Sequence, residues 1–193
     1  MNEPNIDQLV ETTLSRLWFF HRDASLSEVH LSKYRAGQIL LEHGFTDMSA
    51  KRGGLTANMR YLVASALAVD LAPFGPDSAA WEHVLLKAGS YFKVIDVYRI
   101  GEKTQITLLN IPEELVPVAK AVDPDADQGL VKQARQQFEE DLESPPAAAL
   151  QTNEWKKRTA APLGMSDSGE LFFNDGAAPP APGARRKAWW KLW

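Results

Sequence analysis

Between residues 91 and 111 the chain changes from a helical to a strand-like period, and that change constrains the fold more than any other feature. Tyr91-Phe92-Lys93-Val94-Ile95-Asp96-Val97-Tyr98-Arg99 and Thr104-Gln105-Ile106-Thr107-Leu108-Leu109-Asn110-Ile111 are rich in β-branched and aromatic residues. Gly101-Glu102 between them suits a type II′ turn that pairs Ile100 with Lys103. In that register one face carries Phe92, Val94, Leu109 and Ile111, and the other Ile95, Val97, Ile106 and Leu108. Both faces are partly apolar. An isolated hairpin is marginal in water, so helices must cover this one or further strands must join it. Asp96 falls opposite Lys93 and Arg99, which reads as edge protection by charge rather than as a site.

The flanking segments read as helices. Ile6, Leu9, Val10, Leu14, Leu17, Trp18 and His21 recur at helical spacing, predicting a helix over 6–21. Ser25-Leu26-Ser27-Glu28 forms a capping box that opens a second helix over 27–43, stopped by Gly44. Met59, Leu62, Val63, Ala66, Leu67 and Leu71 predict an apolar third helix over 57–71, central to the core. Further helices are expected over 78–88, with Trp81, Val84 and Leu85 inward, and over 127–143, with Leu130, Ala134, Phe138 and Leu142 inward. The fold class expected is therefore α+β: a mainly helical domain, residues 1–143, packed around a β-hairpin or small antiparallel sheet.

Residues 144–193 hold six Pro and four Gly among many Ala and Ser, a composition expected to stay disordered. Charge divides at the same boundary. Residues 1–143 carry 14 Lys and Arg against 21 Asp and Glu, while residues 144–193 carry 7 against 4. An acidic body argues against nucleic acid as its partner. The chain has no cysteine, which excludes disulfides, thiolate metal sites and cysteine nucleophiles and suits a reducing cytoplasm. No signal peptide or membrane-spanning run is evident.

Catalytic motifs are absent from the sequence. Walker loops, dinucleotide fingerprints and nucleophile elbows are missing, and His21, His30, His43 and His83 lack the spacing of metal ligands. No cofactor is expected. His21 and Arg22 read as cations at a helix C-terminus. The loop from Gly44 to Leu55, with Lys51, Arg52, Gly53 and Gly54, reads as an ordinary connection or as an anion site.

The end of the chain is less easily dismissed. Arg185, Arg186, Lys187, Trp189, Trp190, Lys191, Leu192 and Trp193 combine the residues most enriched at binding hot spots, and Leu171, Phe172 and Phe173 form a second apolar island. These residues are expected to dock a protein partner, making the chain a non-enzymatic cytoplasmic adaptor. The alternatives are adsorption of the tail to an anionic membrane surface, and an enzyme whose site is scattered along the sequence.

Overall fold

The computed structural model describes residues 16–121 and 128–173. Eight strands form one sheet: β1 (Trp18–Ala24), β2 (Ile39–Glu42), β3 (Thr46–Ser49), β4 (Met59–Ser65), β5 (Val69–Asp70), β6 (His83–Leu86), β7 (Ser90–Ile100) and β8 (Lys103–Ile111). Their order is β2-β7-β8-β4-β1-β3-β6-β5, antiparallel except for the β4/β8 pair. The helices are α1 (Glu28–Leu31), α2 (Pro76–Trp81), α3 (Val116–Ala121), α4 (Gln128–Leu142) and α5 (Asn153–Arg158). Among the described residues only α4 exceeds six residues.

The expected mainly helical fold is thus corrected to a strand-rich mixed sheet with few short helices. β4 shows why. All seven of its residues are buried, because it lies mid-sheet with both faces covered. A strand in that position reads as a continuous apolar run, which periodicity alone does not separate from a buried helix. Leu67, expected at the heart of the core, lies beyond the end of β4 and is 48 % exposed. The span 27–43 holds only one helical turn, α1, before the chain extends into β2, and its N-cap is Ser27, accepting from the His30 amide, rather than the Ser25 of the expected capping box. The helix expected over 78–88 stops at Glu82, which adopts the left-handed conformation, and the chain turns into β6. Of the helix expected over 6–21, residues 18–21 belong to β1 and residues 1–15 lie outside the described residues.

The hairpin and the last helix match their expected positions. Ile100 pairs with Lys103 around Gly101, whose φ of 57° is the left-handed value the turn requires. A bulge between Val94 and Asp96 then shifts the register by one residue. Phe92 and Val94 consequently share a face with Ile106 and Leu108, while Ile95 joins Leu109 and Ile111 on the other. The bulge also aims Asp96 at Arg135 of α4, Oδ2 to Nε 2.7 Å. With β2 paired alongside, β7 is not an edge, and Asp96 anchors a helix rather than guarding an edge.

Each sheet face has a distinct cover. α4 crosses one face, where Phe138 is fully buried and Gln105 donates to the Ala134 carbonyl. The other face carries the larger core, with Tyr34, Leu40, Met48, Tyr61, Val63, Phe92 and Ile106. Leu163 and Met165, from the region expected to be disordered, complete it. The described structure continues through residues 144–173: Trp155 of α5 is 2 % exposed, packed with Trp81 and Leu150.

Candidate active site

The first element of the site is a buried cation. Arg22 lies mid-β1 and is 3 % exposed, surrounded by the larger core. Its Nη1 donates to the Asp47 carbonyl at 3.1 Å and its Nη2 to the Ala161 carbonyl at 2.9 Å. Nε has no partner. Both bonds end on backbone oxygens, and no carboxylate oxygen lies within ion-pair distance of the guanidinium among the described residues. Burial accordingly pulls its pKa below the usual arginine value, against the raising influence of Tyr61 and Asp47. A guanidinium stays charged under ordinary conditions, so the fold retains a desolvated cation without a direct carboxylate partner, offset only at longer range by Asp47 and Glu42.

The second element is a dyad. His83 Nε2 lies 2.8 Å from Asp47 Oδ1, and its Nδ1 is buried without a partner. An imidazole held by a carboxylate through one nitrogen and open at the other is the arrangement of an oriented general base. Asp47 therefore serves both elements, through its carbonyl to Arg22 and its carboxylate to His83. Arg158 Nη1 approaches the same carboxylate at 3.7 Å. Strand order makes this possible, since β3 lies between β1 and β6. Thr46, on β3 as well, has a buried hydroxyl without a partner.

Aromatic rings bound the dyad. The Trp155 ring lies 5.3 Å from Trp81 and 5.5 Å from His83, and Trp81 and His83 are 6.1 Å apart. On the Arg22 side, Tyr34 and Tyr61 hold Leu163. Tyr34 donates to the Leu163 carbonyl at 2.7 Å, the Leu163 amide donates to Tyr61 at 3.1 Å, and the two hydroxyls meet at 2.7 Å. Tyr34 spends its proton on the carbonyl, so Tyr61 donates to Tyr34. Burial pushes the Tyr61 hydroxyl up to about 12 and that of Tyr34 higher, so both stay protonated.

A separate polar network fastens α4 to the opposite side. Arg60 bonds Asp23 and Asp141, Arg52 bonds Asp141 and Glu140, and Gln137 meets His21 at 2.7 Å. The span Gly44 to Leu55, expected as a loop, contains β3, and only its Arg52–Gly54 part belongs to this network. Arg52 is engaged by carboxylates, and a Cβ on Gly54 would fall 2.1 Å from the Ser144 carbonyl oxygen. The paired glycines allow backbone contact rather than an anion cradle.

The expected docking residues are placed in part. Leu171 bridges to Met165, the Phe172 ring packs 4.5 Å from His43, and Phe173 contacts Tyr91 with Lys120 over its face. Arg185, Arg186, Lys187, Trp189, Trp190, Lys191, Leu192 and Trp193 lie outside the described residues. Sequence reasoning missed Arg22, Asp47 and His83 as a group, because the sheet alone brings them together. The available signal was His21-Arg22-Asp23 directly after an apolar run, which marks a buried polar strand as readily as a helix end.

No family model and no curated protein matches the sequence. Among solved structures the chain is similar to the type III effector XopAI from Xanthomonas axonopodis pv. citri, at 14 % identity over 51 % of this chain and 46 % of that one, TM-score 0.43. It is similar to the Vis toxin, an ADP-ribosyltransferase from Vibrio splendidus, at 17 % identity over 52 % and 51 %, TM-score 0.42. A third is the ADP-ribosyltransferase HopU1 of Pseudomonas syringae, at 13 % identity over 49 % and 45 %, TM-score 0.43. The chain spans about half the length of each, at a level that does not assign an activity. The adaptor reading, with its lean away from an enzyme, gives way to the enzyme alternative, which is argued below from the geometry of the site; the similar structures include ADP-ribosyltransferases.

Proposed function

We propose that the chain is an enzyme that binds an anionic, ring-bearing substrate of nucleotide type between Arg22 and Trp81 and uses His83, held by Asp47, as its general base. The observation that carries this reading is the Arg22 guanidinium, buried without a carboxylate and with Nε unpartnered. Such a charge costs several kcal/mol to desolvate, and a phosphate oxygen repays that cost better than a carbonyl. Trp81, buried beneath Trp155 and Arg158, would present a flat face for a ring once that cover moves, and His83 Nδ1 has no partner.

ADP-ribosyl transfer, the activity named for Vis and HopU1, is the specific reaction to test. NAD supplies a pyrophosphate for Arg22 and aromatic rings for Trp81. In that reaction the bond from C1′ of the ribose to the nicotinamide nitrogen breaks, and nicotinamide leaves with the bonding electrons. A bond forms from C1′ to the acceptor nucleophile, whose proton passes to His83 Nδ1.

The test is nicotinamide release from NAD, with and without protein acceptors. It is run on the full chain and on Gly164→Val, whose added Cβ would stand 2.7 Å from Leu40 Cβ and displace the segment over the site. Release that is lost in both Arg22→Gln and His83→Asn supports the proposal. No release and no nucleotide binding by either form would sink it.

A further inference from the structure

The Trp155 ring and the Ala161 carbonyl occupy the two positions at which the proposed substrate would be recognised. The ring stands against Trp81 and His83, and the carbonyl accepts from Arg22. Both belong to one stretch, residues 153–165, which also hides the dyad: His83 is 3 % exposed. We propose that this stretch is a built-in substrate mimic that keeps the site shut, its indole in place of a nucleotide ring and its carbonyl in place of an anionic oxygen. The proposal rests on the functional reading above.

The stretch is held by buried side chains, Trp155, Leu163 and Met165, rather than by strand pairing, so its displacement trades that apolar burial against the ligand. All eight strands of the sheet are paired without it. Beyond α5 the chain folds on itself, with Phe172 donating to the Gly164 carbonyl and a single bridge between Met165 and Leu171. Its backbone meets the sheet's own ladder once, where Leu41 donates to the Phe172 carbonyl at 3.3 Å. Its other polar ties to the body include the bonds of Arg22 to Ala161 and of Tyr34 and Tyr61 to Leu163, Glu42 Oε2 accepting from the Gly164 amide at 2.7 Å, and the ion pair of Arg158 with Asp47 at 3.7 Å. The guanidinium under the cover has no direct carboxylate partner, its charge being met only at longer range by Asp47 and Glu42. The neutral carbonyl is a weak partner for that cation, so a doubly charged phosphate competes with it on favourable terms.

The experiment uses ADP as the probe, with the full chain, Gly164→Val, and Leu163→Ala as a second variant that loosens the stretch without touching the sheet. ADP binding is read by calorimetry and amide exchange by mass spectrometry. In the unsubstituted chain, ADP should raise exchange at the amides of residues 161–165, because it expels them. Each loosened variant should bind ADP at least tenfold more tightly, and adding Arg22→Gln should remove the gain. Equal affinity in the unsubstituted and loosened chains would overturn the mimic while leaving the nucleotide site standing, as would ADP that binds without raising exchange. Absence of ADP binding in chains whose 161–165 amides already exchange freely would sink the nucleotide site itself.

Discussion

Arg60 and Asp23 face each other directly across the β1/β4 ladder, Nε to Oδ1 2.7 Å and Nη2 to Oδ2 3.0 Å, in a fork that water does not reach. Arg60 also reaches Asp141 of α4 at 2.9 Å and the Gly53 carbonyl at 3.0 Å. One guanidinium thereby joins two strands, a loop and the longest helix. The contrast with Arg22, one residue before Asp23 on β1, is chemical: Arg60 is bonded directly by two carboxylates and Arg22 by none.

Arg60→Met should destabilise the chain by about 3–5 kcal/mol, because it leaves two buried carboxylates without their shared cation. Urea unfolding measures this. Arg60→Met with Asp23→Asn and Asp141→Asn should recover part of the loss, since no buried charge then remains unpaired at that point. Similar losses in the single and triple variants would mean that packing, not charge, sets the cost.

Acid should loosen α4 through His21. Burial, followed by the nearby Arg60, lowers its pKa from 6.5 to about 3, and the Gln137 amide at 2.7 Å donates to the neutral ring. The unfolded chain therefore takes up a proton below about pH 6.5 that the folded chain refuses until about pH 3. Stability falls through that window, by about 2 kcal/mol between pH 7 and pH 5. Asp141 acts with opposite sign, its carboxyl raised by burial against the pull of Arg60. Urea midpoints at pH 7 and 5 for the unsubstituted chain and His21→Gln test this, and the variant should show the flatter dependence.

The hairpin and α4 were legible in the sequence because each has a single clear period, and the hairpin a turn that fixes it. β4 was not. Covered on both faces, it loses the alternation that marks a strand, and its Ala and Leu content fits a helix. The site was less legible still, since Arg22, Asp47, His83 and Ala161 are adjacent only through a sheet order in which β1 neighbours β3 and β3 neighbours β6. The one-residue bulge at Val94 hid the role of Asp96 in the same way. A simple alternation cannot foresee where it slips.

Leu67 and Leu62 give a direct test of that correction. A central helix would make Leu67→Asp ruinous, whereas Leu67 at 48 % exposure should tolerate the change within about 0.5 kcal/mol. Leu62, fully buried in β4, should not: Leu62→Asp buries an unpaired charge and should cost several kcal/mol or prevent folding. Thermal melts of the two variants decide between strand and helix.

Arg22 should behave unlike every other buried residue in the sheet. Its guanidinium makes only two bonds to carbonyls and leaves Nε unpartnered, so the fold pays its desolvation without a carboxylate in return. Arg22→Met keeps much of the side chain's length and apolar contact while removing the charge. Replacing a poorly compensated buried charge by a packed apolar group is often neutral or stabilising by about 1–4 kcal/mol. The Asp47 and Ala161 carbonyls lose a donor, which offsets part of the gain by about 1 kcal/mol each. The expected urea midpoint is equal to or above that of the unsubstituted chain, with nucleotide binding abolished even when residues 153–165 are loosened by Gly164→Val. Stability held or raised together with binding lost would place Arg22 in the site at the expense of the fold. A fall as large as that of Arg60→Met would instead make it a structural cation and remove the main support for the nucleotide site.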